Sequence, residues 1–135
     1  MAWQSYGLDR AAQALVLARL RDPQSLNQAH KMRMAVAYGL ERFWGEQLRL
    51  QAKEPEKAAF WKETWATLVT ILNDAGMNLP NDSVSVTNTQ QIQAMSKKLW
   101  DLKLEEQRIA ISVLTQLCDC IVWWTQRYKT REEED

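Results

Sequence analysis

Between Gln90 and Tyr128 the chain has no glycine, no proline and no histidine. Within that run apolar side chains recur at Ala110, Val113, Leu114, Leu117, Ile121, Trp124 and Tyr128. This three-and-four spacing gathers them on one face of a helix. Such a stripe demands burial against other helices, which narrows the fold before any chemistry is weighed. The 135 residues suffice for one domain that buries a core without disulfide or metal staples. The expectation is an all-α fold, a single-domain bundle of about five helices over residues 1–131. Residues 132–135 are expected to be a solvated, disordered acidic end.

Local signals divide the remainder. A first helix is predicted from Leu8 or Asp9 to about Arg21, closed by Asp22-Pro23 because the residue before proline avoids helical angles. Ser25 and Gln28 stand at capping-box spacing. A second helix then runs from Leu26 to about Lys53, with Met32, Val36, Leu40, Phe43 and Leu48 inward. Gly39 and Gly45 interrupt it at ~1 kcal/mol each relative to Ala, so a bend or a close helix contact is expected there. Pro55 suits the start of a third helix ending near Ala75, with Gly76 as its C-terminal cap. Residues 77–88 read as loop, Val84-Ser85-Val86 being a short extended candidate. Asn88 or Thr89 can cap a fourth helix, and a fifth covers 105–130. Asp101 offers a cap for a separate start, yet the apolar period passes through it, so continuity of the last two helices stays open.

Charged residues make up 25% and apolar residues 46% of the chain, which excludes wholesale disorder. No stretch approaches the ~20 uninterrupted apolar residues of a membrane span. The opening Met-Ala-Trp-Gln-Ser-Tyr lacks the charged-then-apolar pattern of a signal peptide. A cytoplasmic protein without membrane contact is expected. Net charge is zero but unevenly spread: residues 1–53 carry eight basic and four acidic side chains, and four carboxylates crowd Glu132–Asp135. A basic face toward an anionic partner fits that pattern; a dedicated, strongly basic nucleic-acid binder does not.

Catalytic vocabulary is sparse. The four glycines are scattered, so no phosphate-cradling loop is available. No serine sits in a nucleophile elbow. Cys118 and Cys120 lie about 200° apart around a helix and read as reduced, partly buried thiols. Zinc would need ligands beyond them and the single histidine, His30. A helical di-iron site fails on histidine count, and the adjacent Glu105 and Glu106 read as solvated. No catalytic residue, cofactor, metal or small-molecule substrate is expected.

Seven tryptophans read first as core anchors, with Trp61 and Trp65 sharing one helix face. Protein-interface anchors come next and base-stacking platforms last. Trp123 and Trp124 point about 100° apart on a helix, so one can be buried while the other nears the surface.

Three segments together resemble the small all-helical subunit of the type III-B (Cmr-type) CRISPR effector complex. They are Asp9-Arg10-Ala11-Ala12-Gln13-Ala14-Leu15, Ala37-Tyr38-Gly39-Leu40 followed by Phe43-Trp44, and Arg108-Ile109-Ala110-Ile111-Ser112-Val113-Leu114 with the downstream Trp pair. Tyr38 stands where that family carries Asn before the Gly, and Lys31 represents its Lys-Pro step without the proline. The resemblance implies a non-catalytic structural subunit in antiviral defence, stacking with copies of itself and with other effector subunits. It would line the channel that holds guide RNA paired to target RNA, contacting phosphates rather than reading bases. Arg19, Lys31, Arg33, Arg42, Arg108 and Arg127 are the candidate RNA-backbone contacts. The alternative is a helical adaptor or regulator that binds only protein, through Trp123 or Trp124.

Overall fold

The long helix expected from Leu26 to Lys53 does not form as one piece. The computed structural model describes the backbone of residues 2–134 and the side chains of residues 7–129. The elements are α1 (Ala2–Leu17), α2 (Pro23–Leu26), α3 (Gln28–Ala35), a 3-10 turn (Val36–Tyr38), α4 (Leu40–Leu50), α5 (Pro55–Asp74), α6 (Thr89–Trp100) and α7 (Leu104–Glu134). Among the described residues there is no strand, and Val84–Val86 stays in loop. The expectation for Glu132–Asp135 falls on residues whose side chains lie outside those described.

Gly39 makes the decisive break. Its φ of 99° and ψ of 172° lie in a region essentially restricted to glycine, so the 3-10 turn ends there and α4 leaves in a new direction. The expected cap is also displaced. Asp22, not Ser25, caps α2: its carboxylate accepts from the Ser25 backbone N–H at 3.3 Å and the Ser25 hydroxyl at 2.6 Å. These hydrogen bonds hold the Asp22 carboxyl below its ordinary range. Pro23 follows at the first helical position, where its missing N–H costs nothing.

Helix α1 starts well before Leu8 and stops at Leu17, with Gly7 inside it. The glycine penalty is offset by burial of Leu8, Ala12, Leu15 and Val16. Pro55, Gly76 and Asn88 act where expected: Pro55 opens α5, Gly76 turns out of it with φ of 88°, and Asn88 caps α6 through the Gln91 N–H at 3.1 Å. Residues 101–103 separate α6 from α7, which settles their continuity. Glu106 reaches back to the Lys103 N–H at 3.3 Å, one half of a capping box. Gln107 bridges the junction, donating to the carbonyls of Trp100 at 3.3 Å and Leu102 at 2.8 Å.

One contiguous core joins these helices. Phe43 of α4 lies 4.9 Å from Trp61 and 6.3 Å from Trp65, both on α5. Two indole N–H groups there are satisfied: Trp61 donates to Gln28 at 3.0 Å and Trp65 to the Pro80 carbonyl at 3.1 Å. Gln28 therefore serves the core instead of a capping box. Helix α7 buries Ala110, Val113, Leu114, Leu117 and Ile121 as its spacing required. Its main partner is α1, and the two run in the same direction: Leu8 and Val113 line one groove, and Gln13 reaches the Tyr128 hydroxyl at 3.1 Å.

Candidate functional site

The six cations singled out in the sequence meet different fates. Arg19, in the turn just after α1, pairs with Glu63 at 2.7 Å and Glu56 at 3.3 Å, both on α5, and its side chain is 14% exposed. Arg33 ties α3 to α7 through Asp119 at 2.6 Å. Both fasten helices together, so neither presents an unengaged charge. Among the described residues, Lys31, Arg42, Arg108 and Arg127 form no ion pair, and all four side chains are exposed.

Lys31 and Arg42 come together on one surface. Tyr38, displaced outward just before Gly39, is 70% exposed, and the Arg42 guanidinium lies 5.4 Å from its ring centroid. Across from it stands Trp100, 67% exposed at the end of α6. Between them is a cleft of about 320 Å3, lined also by Glu41, Arg42, Gln107 and Ile111. Its inner wall is polar: Glu41 accepts from the Ser96 hydroxyl at 3.1 Å, and Gln107 is held by the two carbonyls described above. A second hollow of about 290 Å3 shares Tyr38 and Arg42 and adds Lys31, Met34 and Glu46. The result is a continuous surface of two aromatic rings, two cations and two carboxylates, of which Glu46 is paired with Arg49.

Tyr38 and Trp100 carry this surface, and sequence reasoning did not pick them out as exposed aromatics. The signal for Trp100 was present. Met95, Ser96 and Leu99 are buried on α6, and a residue one step beyond Leu99 swings about 100° off that face. For Tyr38 nothing local sufficed, because its exposure follows from the turn at Gly39.

The Trp pair forms a separate patch on α7. Trp123 is 52% exposed and Trp124 half-buried, so the two differ as the helical geometry required. Their rings meet edge to face at 4.7 Å, Trp124 stacks on Tyr128 at 5.8 Å, and the Arg127 guanidinium lies 5.4 Å from both indoles. Arg127 is thus placed over aromatic rings. Neither the Trp124 indole N–H nor the Thr125 hydroxyl has a partner among the described residues.

The thiols are chemically quiet. Burial pushes Cys118 up to about 12 and, with a hydrogen bond to Asp9, Cys120 up to about 11, so both stay protonated near neutral pH. Among the described residues no three His, Cys, Asp or Glu side chains converge as metal ligands. A largely apolar groove of about 210 Å3 lies between Leu8, Ile71, Leu72, Ile109 and Val113, with Asp74 as the one titratable side chain in its lining. Within Leu104–Lys129 an 18-residue window reaches a mean hydropathy of 1.2, enough by length and composition for a membrane helix, but the apolar stripe of this helix packs into the core. Compared with family models, curated proteins and solved structures, the chain finds no match.

Proposed function

We propose that this chain is a non-catalytic, RNA-contacting structural subunit of a larger cytoplasmic ribonucleoprotein, the role implied by its resemblance to the small type III CRISPR effector subunit. The observation that carries the reading is the surface holding Lys31 and Arg42, unpaired among the described residues, beside exposed Tyr38 and Trp100. Exposed cations without internal partners attract phosphates, and aromatic rings beside them tolerate any nucleobase. Arg108, exposed on α7 and without an ion pair among the described residues, remains a further candidate; Arg19 and Arg33 leave the contact set because their charges are engaged. The whole chain is neutral, so affinity for RNA alone is weak and depends on few phosphates.

The Trp123–Trp124–Arg127 patch favours protein contact at a second surface, either with further copies of the chain or with other subunits. A protein-only adaptor would use this patch and leave the Tyr38 surface idle. Affinity purification of the chain from its native cell separates the readings. An RNA-containing multi-subunit particle is expected; a free monomer, or a protein complex insensitive to ribonuclease and devoid of RNA, would defeat the proposal.

A further inference from the structure

We infer that the cleft between Tyr38 and Trp100 takes a single unpaired RNA base, guanine by preference, so that this surface binds single strands and not duplex. The inference rests on the RNA-contacting reading above and assigns that surface a ligand. Phosphate contact alone needs cations; it does not need two large aromatic side chains left about two-thirds exposed at the mouth of a cleft. Exposed rings of this kind stack on bases that have left a helix, whereas bases inside a duplex are closed to them. A volume of about 320 Å3 lies at the lower end of the range for small-ligand sites, a size that suits one base and not a stacked pair.

The polar groups of the cleft select among bases. Glu41 presents a carboxylate, one oxygen of which already accepts from Ser96. The Gln107 amide nitrogen is committed to the Trp100 and Leu102 carbonyls, which leaves its oxygen as an acceptor. Two acceptors match a base edge rich in N–H donors. Guanine carries adjacent ring N–H and amino donors on its pairing edge, a pattern that uracil lacks. The neighbouring hollow, where Lys31 and the shared Arg42 stand beside a Glu46 carboxylate already paired with Arg49, receives the phosphate of the next nucleotide. These cations also disfavour the rival occupant, an arginine or lysine side chain of a protein partner, which the carboxylate and rings would otherwise suit.

The test uses the full chain with three probes at low and moderate salt: a nonamer of uridine, the same nonamer with one central guanosine, and a blunt RNA duplex of equal length. Single strands are expected to bind more tightly than duplex, and the guanosine probe more tightly than oligouridine. Trp100→Ala should weaken the guanosine probe by about ten- to a hundredfold while leaving its salt dependence intact. Trp100→Phe should restore most of the affinity. Glu41→Gln should remove the guanosine preference alone. Salt-dependent binding that is equal for duplex and single strand, or indifferent to Trp100→Ala, overturns this inference and spares the RNA-contacting reading. Absence of binding to all three probes overturns both. Protection of Trp100 by an arginine-bearing peptide with no response to RNA assigns the cleft to a protein partner and likewise overturns the inference.

Discussion

At the scale of single residues, burial decides what the chain's few reactive groups can do. Cys118 is wholly enclosed by the contact of α7 with its neighbours, and its thiol is raised from 9.0 to about 12. The folded protein therefore keeps a proton that the unfolded chain releases above about pH 9, so stability is full below that point and falls as pH climbs toward about 12. Denaturant midpoints at about pH 8 and about pH 11 should show a larger alkaline loss for the parent chain than for Cys118→Ala. Equal losses would remove this thiol from the account. The helical face that buries Cys118 was legible in the apolar spacing. The Gln28 to Trp61 bond was not, because a side chain's partner 33 residues away leaves no local trace.

At the scale of elements, glycine separates what the sequence revealed from what it concealed. Gly39 and Gly45 look alike in a helical pattern, and both were read as sites for a bend or a close contact. Only Gly39 adopts a positive φ; Gly45 lies within α4, where an added Cβ would sit 3.4 Å from a Glu41 oxygen, an ordinary contact. Gly39→Ala should therefore cost ~1–3 kcal/mol through backbone strain alone. Gly45→Ala should stabilise by ~0.5–1 kcal/mol through helix propensity. Urea unfolding followed by circular dichroism measures both, and shifts of the same sign would contradict the distinction. Terminal signals such as Pro55, Gly76 and Asn88 were readable because each acts within its own turn. The displaced cap at Asp22 was hidden by a second candidate, Ser25, three residues on.

At the scale of the molecule, the cations divide into those that hold helices together and those that face outward. No feature of the chain around Arg19 distinguishes it from Arg42, since the glutamates that engage Arg19 arrive from α5. This is why the candidate contact set could be proposed from sequence but not sorted. Arg19→Glu should lower the denaturation midpoint, by an amount equivalent to ~1 kcal/mol or more given two lost pairs and new repulsion, and leave RNA affinity per folded molecule unchanged. Arg42→Glu should leave stability within about 0.5 kcal/mol and flatten the dependence of RNA affinity on salt by about 0.7 in the logarithmic slope. Thermal unfolding paired with a salt titration of RNA binding checks both, and an exchange of the two phenotypes would reverse the assignment.

The pairing of α1 with α7 has a bearing on how the protein comes into being. During synthesis, α1 leaves the ribosome more than a hundred residues ahead of the segment that covers Leu8, Ala12 and Val16. Until that segment emerges, α1 has α5 alone as a long packing partner, and the rest of its oily stripe is open to chaperones and to neighbouring chains. Closure of the bundle is thus a late event joining distant parts of the chain, and a translational pause before α7 would prolong the vulnerable interval.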